Sequence, residues 1–503
     1  MATLDLPFTL NDPNLLHNDN FVNGAWTPAA SGKRFAVADP GTGKTWTTCP
    51  DTAAEDVEQA VSTANAAFKI YSKWTPRKRS QTLGKWHQLI SDAREDLARV
   101  LVLETGKPLA EALGEVDYGL TFTWWFTGEA DRIQGATMNS ALAGRRALTI
   151  KQPIGTSVAL VPWNFPLALV LRKAGAALAA GCTMIVKTSP ETPLTAFCLA
   201  ELANRAGFPP GAFNVLSTSL ENTPPVAEAL CLHPLVKKVT FTGSTRVGKL
   251  ISSMCAKNLK KCTLELGGNC PFIVFDDANL EQAVEQLQSL KWRHAGQACI
   301  TANRVYVQRG IHDAFVARVL EQTSKIKVGH GLTAGNTMGP VTTPRGLDKG
   351  EELFQDAVSK GASVQMGKGV RLSAGTGEAG GYFMSPTVLT GITDSMAMAQ
   401  DEVFAPILGI SVFDTESEAV ERANNTSMGL ASYVFTKNID RIWRMFENLE
   451  AGMIGLNTGN ASATEAPFGG IKDSGVGKES GKDVAVNEFL ITKTGTLSVE
   501  DHY

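Results

Sequence analysis

Four short apolar segments, Ser157–Val161, Met184–Val186, Phe213–Leu216 and Val239–Phe241, constrain the fold more than any other feature of the chain. They recur roughly 25 to 30 residues apart with Ala- and Leu-rich helical stretches between them, the rhythm of βαβ units in a parallel sheet. Such a sheet holds its ligand beyond the carboxyl ends of its strands. Polar punctuation falls at three of those ends: Pro162-Trp163-Asn164, Lys187-Thr188-Ser189-Pro190, and the run from Thr242 through Gly243 and Ser244 to Gly248. The last places glycine and hydroxyls where a strand turns into a helix, so backbone N–H groups and the helix dipole can meet a pyrophosphate there. It lacks the Gly-x-Gly-x-x-Gly spacing, and a tight turn with a helix N-cap accounts for the same residues. Lys187 is open to two readings as well, a solvated loop lysine or a cation for ribose hydroxyls or a phosphate.

On either side of this region the pattern differs. Residues 20 to 50 are rich in turn formers and read as short strands. From Thr52 to Phe68 the residues Val57, Ala60, Val61, Ala64 and Phe68 mark one face of an amphipathic helix, and helical patterning continues with breaks to Arg132. The basic run Arg77-Lys78-Arg79 reads as a solvated face. Beyond residue 299, Val305–Val307, Ala314–Ile326, Leu408–Phe413 and Ser417–Asn425 predict a second α/β domain. The glycine-rich stretch Gly361–Gly381 reads as a surface loop. The tail Phe489–Glu500 alternates around β-branched residues, a pattern suited to adding a strand to a neighbour's sheet.

A chain of 503 residues exceeds a single hydrophobic core, so two or three domains are expected. With 47 basic and 50 acidic residues there is no polycationic surface suited to nucleic acid. The eight cysteines are scattered without a Cys-x-x-Cys pair, so neither a disulfide framework nor a metal site is expected. The first residues lack early Arg or Lys, unlike a secretory or mitochondrial leader. The longest apolar run, Leu167–Val186, is interrupted by Arg172 and Lys173, so no membrane partner is expected. A reducing, cytosolic setting fits these features.

The stretch Lys291–Thr301 contains the candidate for chemistry. Gly296 and Gln297 allow a sharp turn just before Cys299, which would let the thiol project into a cleft. A buried, inert cysteine is the alternative.

Six motifs in order then resemble the aldehyde dehydrogenase superfamily over essentially the whole chain. They are Pro162-Trp163-Asn164-Phe165-Pro166, Phe241-Thr242-Gly243-Ser244-Thr245, Glu265-Leu266-Gly267-Gly268, Gly296-Gln297-Ala298-Cys299, Glu402-Val403-Phe404-Ala405-Pro406 and Pro467-Phe468-Gly469-Gly470. Within it the chain is most similar to succinate-semialdehyde dehydrogenases, through residues 172 to 183 and 308 to 316. The resemblance implies a Rossmann-like dinucleotide-binding domain (1–129 and 151–264), an α/β catalytic domain carrying the thiol (265–465), and a small β oligomerisation element (130–150 and 480–503). It also implies a homodimer or homotetramer.

The chemistry suits those residue types. A thiolate adds readily to an aldehyde and later leaves from a thioester, which is the role implied for Cys299. The resemblance assigns the oxyanion to the Asn164 amide and the Cys299 backbone N–H, one such donor being worth about 3 kcal/mol. It makes Glu265 the base that activates water, with partial burial raising its pKa. Around the dinucleotide it places Pro162, Trp163, Lys187, Ser189, Pro190, Gly243, Ser244, Glu402 and Phe404. NAD-preferring members usually carry a glutamate three residues after Lys187, where this chain has Pro190. The loss of that carboxylate favours NADP, while Glu191 next door keeps NAD open. Arg172, Arg293 and Ser462 correspond to residues that grip a distal carboxylate, with Phe468 beside them, so the expected partner is an aldehyde bearing one. Thr301 stands where some members carry a second cysteine, so a local disulfide switch is not expected.

Overall fold

The computed structural model describes residues 4–372 and 380–500. Its larger sheet has eight strands in the order Ala25–Thr27, Asn20–Val22, Phe213–Leu216, Thr183–Lys187, Thr156–Leu160, Val236–Thr242, Lys261–Glu265 and Gly475–Val476. The five strands from Phe213–Leu216 to Lys261–Glu265 run parallel. The order reverses between Thr156–Leu160 and Val236–Thr242, which sets a crevice at their carboxyl ends. Three of these strands, Thr156–Leu160, Thr183–Lys187 and Phe213–Leu216, are buried at every position, which is why they read as continuous apolar runs. Helix Pro166–Ala180 follows the first of them and is buried along its whole length.

The second sheet has seven strands in the order Ser363–Met366, Thr387–Thr390, Ile407–Phe413, Ala302–Gln308, Cys270–Val274, Ala431–Phe435 and Met453–Leu456. Strand Ala302–Gln308 begins three residues after Cys299, so the thiol lies at the sheet's rim. Strand Gly475–Val476 returns to the first sheet and pairs with the strand ending at Glu265, which ties the last part of the chain to that residue.

Several local expectations change. Arg79 is not on a solvated face: it is buried, and its Nε donates to the Ala179 carbonyl at 3.0 Å, satisfying the end of helix Pro166–Ala180. The stretch Gly361–Gly381 is not all loop, because Ser363–Met366 pairs antiparallel with Thr387–Thr390; residues 373–379 lie outside the described part. The tail strand Leu490–Ser498 pairs antiparallel with Arg145–Pro153 of its own chain, in a three-stranded sheet with Thr137–Asn139. That strand runs through residue 150 to Pro153, because every position from Arg145 to Pro153 finds a partner in the tail. Among the described residues no helix is long and apolar enough to cross a membrane.

Candidate active site

Between the two sheets lies a cavity of about 440 Å³ lined by Cys299, Asn164, Arg172, Arg293, Ser462 and Phe468. Residues more than 100 positions apart in sequence thus share one wall.

The loop carrying Cys299 is shaped by an unusual backbone. Helix Leu280–Lys291 ends at Trp292, and His294, Ala295 and Gly296 then take positive φ of 50°, 51° and 78°. The reversal therefore starts two residues before the glycine that sequence reading identified. Left-handed geometry costs roughly 1–2 kcal/mol for each residue with a Cβ. Tertiary bonds hold it: the His294 N–H donates to Glu111 Oε2 at 2.8 Å, and Gln297 Nε2 donates to the His294 carbonyl at 2.9 Å. Thr301 is buried, its hydroxyl bonded to the Leu290 carbonyl at 2.8 Å. Burial, and next the carboxylate of Glu402, push the Cys299 thiol up to about 12; Arg172 and Arg293 act in the opposite sense.

Asn164 sits where strand Thr156–Leu160 gives way to helix Pro166–Ala180. Its Nδ2 donates to the Gln297 carbonyl at 3.1 Å, which leaves the amide's second hydrogen for an oxyanion. Its backbone is fixed from behind. Lys107 Nζ donates to the Asn164 carbonyl at 2.9 Å and is ion-paired with Glu115, whose other oxygen accepts the Leu167 N–H at 2.9 Å.

Glu265 ends its strand buried, and neither carboxylate oxygen has a hydrogen-bond partner among the described residues. Sequence reading expected only partial burial. Complete burial, and then the charge of Glu479, push its carboxyl well above the ordinary range. Gly469 makes room for it: a Cβ there would stand 2.6 Å from Glu265 Oε1.

The two arginines differ sharply. Arg172 is buried and bonded through Nε to Glu479 Oε2 at 2.9 Å, with its guanidinium 4.0 Å from the centre of the Phe468 ring. Glu479 is also ion-paired with Lys173 and accepts from Thr240 Oγ1 at 2.8 Å. Burial works against charge on Glu479, but Lys173 and Arg172 overcome it and hold its carboxyl below the usual range. Arg172 therefore does not reach for a ligand as a free fork; its charge is answered within the fold. Arg293 stacks 5.3 Å from the Phe165 ring centre, and its buried Nε has no partner. Ser462 Oγ lies 2.5 Å from the Tyr118 hydroxyl, and both residues line the cavity. Glu111 lines it too, its carboxyl pushed up to about 7 chiefly by burial.

Sequence reasoning missed Lys107, Glu111, Glu115, Tyr118 and Glu479. Three of them were detectable. Glu111, Glu115 and Tyr118 recur at spacings of four and three on helix Leu109–Glu129, a polar stripe on one face of a mostly apolar element.

The remaining residues mark a second region along the strand ends. Phe404 packs edge-on to Trp163, with ring centres 5.7 Å apart. Glu402 accepts the Gly268 N–H at 3.2 Å, and burial pushes its carboxyl up to about 7. Ser244 caps helix Thr245–Ala256, and a Cβ on Gly243 would stand 2.4 Å from the Phe241 ring. Lys187 is buried, donates to Thr223 Oγ1 at 2.7 Å, and is lowered to about 8 by burial. Ser189 Oγ donates to Glu191 Oε2 at 2.5 Å; Pro162 and Pro190 are half-buried beside these groups. A helix N-terminus, a lysine, hydroxyls and a carboxylate in a row fit the phosphates and riboses of a dinucleotide. No cluster of metal-binding side chains occurs among the described residues.

Comparison with known proteins agrees with this geometry. The description of the aldehyde dehydrogenase family matches residues 26–494. The chain is 44% identical to 3-sulfolactaldehyde dehydrogenase of Pseudomonas putida, over 96% of this chain and 98% of that protein. It is 43% identical to succinate-semialdehyde dehydrogenase [NADP(+)] GabD of Escherichia coli (strain K12), with the same coverage. The crystal structure of succinate-semialdehyde dehydrogenase from Burkholderia pseudomallei superposes with a TM-score of 0.94 at 40% identity, covering 98% of this chain and all of that one. With likeness of this extent in sequence and in fold, the chain belongs to the aldehyde dehydrogenase family.

Proposed function

We propose that the protein oxidises succinate semialdehyde to succinate with NADP or NAD, NADP being favoured. One observation carries the substrate reading. Of the three cations lining the cavity of Cys299, Lys107 is paired with Glu115 and Arg172 with Glu479, whereas the buried Nε of Arg293 has no partner. A guanidinium with its buried Nε left open, lining the same cavity as the Tyr118 and Ser462 hydroxyls, suits an anionic group at the far end of an aldehyde.

In this reading Cys299 gives up its proton to solvent and adds as the thiolate to the carbonyl carbon, and the Asn164 amide and the Cys299 N–H hold the oxyanion. When bound along the strand ends, a nicotinamide dinucleotide supplies the hydride acceptor. Glu402 holds a ribose, Trp163 and Phe404 shape the ring pocket, and Gly243, Ser244, Lys187 and Ser189 meet the phosphates and the adenosine end. Pro162 and Pro190 shape the same strip. Glu265, poised by burial, draws a proton from the water that hydrolyses the thioester. Arg172 shapes the wall beside Phe468, and Ser462 and Tyr118 donate to the distal anion.

A second reading is a sulfonated aldehyde. Arg293, Tyr118 and Ser462 line one cavity and are donors that a three-oxygen anion could take up, and the Pseudomonas putida relative is named for such a substrate. A homodimer or homotetramer in the cytosol completes the proposal. Exposed Leu148, Ile150 and Leu497 on the three-stranded sheet support assembly, and eight unpaired cysteines suit a reducing compartment.

The test is initial-rate absorbance at 340 nm, crossing NAD and NADP with succinate semialdehyde, a sulfonated aldehyde and an uncharged aldehyde of similar length. A preference of about tenfold or more in kcat/KM for the carboxylated substrate is expected. Equal turnover of the uncharged aldehyde would overturn the substrate reading.

A further inference from the structure

Beside the strand ends lies a second crevice of about 320 Å³, lined by Pro190, Glu191, Ser219, Thr342 and Arg345 among others. It opens next to Ser189, at the place where the proposed function sets the adenosine ribose. Glu191 lies at its edge and is held from two sides. Ser189 Oγ donates to Oε2 at 2.5 Å, and Arg345 Nη2 stands 3.5 Å from Oε1. Glu191 thus places a negative charge, and takes up a hydroxyl, where a 2′-phosphate would need neither. Arg345 is the cation set against it.

Arg345 does not arrive there by chance of a loose surface chain. It is the second residue of helix Pro344–Ser359, capped by Thr343, whose Oγ1 accepts the Gly346 N–H at 3.2 Å. The segment before it is tied to the nucleophile loop: Thr342 N–H donates to Gln297 Oε1 at 2.9 Å, and Thr342 Oγ1 donates to the Thr105 carbonyl at 2.9 Å. The loop that fixes Cys299 thereby also fixes the cation facing Glu191. Arg345 itself is two-thirds exposed, so its guanidinium can turn from Glu191 toward an incoming phosphate at small cost. The N-terminus of its helix adds a favourable field for an anion.

We infer that Arg345 is a specificity-determining residue for the dinucleotide, drawing the Glu191 carboxylate off the ribose corner and answering a 2′-phosphate, so that NADP is accepted over NAD. This rests on the proposed function, in which a dinucleotide lies along these strand ends. Glu191 is the opposing element, favouring a 2′-hydroxyl.

The experiment is isothermal titration of the full-length protein with NADP+ and with NAD+, without aldehyde, followed by kcat/KM for each with succinate semialdehyde. Arg345→Ala is expected to lower the ratio of NADP to NAD affinity by about tenfold, and Glu191→Gln to raise it. In the Glu191→Gln background Arg345→Ala should still lower the ratio, because the cation also meets the phosphate directly. The KM for aldehyde should stay put in all three variants, which a general loosening of the loop would not allow. Wild-type protein that binds neither dinucleotide overturns the proposed function and this inference together. Wild-type binding with a ratio unchanged within about twofold in Arg345→Ala overturns the inference alone.

Discussion

Arg172 and Arg293 line the same cavity and carry the same group, yet the fold treats them in opposite ways. Arg172 rises from the middle of a buried helix into a carboxylate that also binds Lys173 and Thr240. Arg293 leaves the end of a helix just where the backbone turns left-handed, against the face of Phe165. A buried donor without a partner, such as Arg293 Nε, is costly, so it is tolerated where a ligand completes it. The residue that a fold leaves incomplete is the better guide to its substrate than the residue it satisfies. Arg172 is paired within the wall, and the proposed function gives Arg293 to the ligand.

The contrast can be broken in order of expected effect. Glu265→Gln, which removes the base of the proposed function, should lower kcat by about 10²- to 10⁴-fold. A single-turnover burst at 340 nm should survive, since thioester formation precedes hydrolysis; loss of the burst would give Glu265 an earlier role. In the wild type the base works only when ionised. Activity should therefore be full above its raised pKa and fall as pH drops through it, well above the ordinary carboxylate range. A kcat profile flat down to pH 5 would contradict this.

Arg172→Leu should destabilise the protein by about 3–5 kcal/mol, because Glu479 would be left buried with one partner fewer. Adding Glu479→Gln should recover part of that in chemical denaturation. Equal stability of wild type and Arg172→Leu would move Arg172 to the ligand side of the comparison.

Much of this architecture was legible beforehand, for a physical reason. Strands buried on both faces write themselves as apolar runs, so Ser157–Val161 and its three successors appear within a residue or a few of their structural limits. Cys299, Asn164 and Glu265 sit in motifs at strand ends, where short-range pattern and chemistry coincide. The Arg172–Glu479 pair was not legible, because its members lie 307 residues apart and only tertiary packing joins them. Nor was the turn at His294 and Ala295, since alanine disfavours positive φ, histidine takes it only occasionally, and the bonds from Glu111 and Gln297 hold it here. Arg79 misled because a basic run usually faces solvent, as Arg77 and Lys78 do, whereas Arg79 turns inward and satisfies a buried helix end.

The smallest expected effect concerns the base of the nucleophile loop. Lys291 is fully buried with Asn303 Oδ1 at 3.1 Å, and burial lowers its pKa to about 7. Between pH 7 and its ordinary value near 10.5 the unfolded chain binds more protons, so wild-type stability should rise with pH across that window. Lys291→Met should stabilise the fold by about 1 kcal/mol near pH 6, with the gain shrinking as pH rises. Thermal melts at several pH values read this, and a gain that grows with pH would refute it.

The comparison between the two arginines is tested most directly by kcat/KM of Arg293→Ala for succinate semialdehyde and for an uncharged aldehyde of similar length. Loss of one charge-assisted contact should lower the first by about 10- to 100-fold while the second stays within a few fold of wild type. An equal loss on both substrates, or none on either, would contradict the assignment of Arg293 to the distal anion.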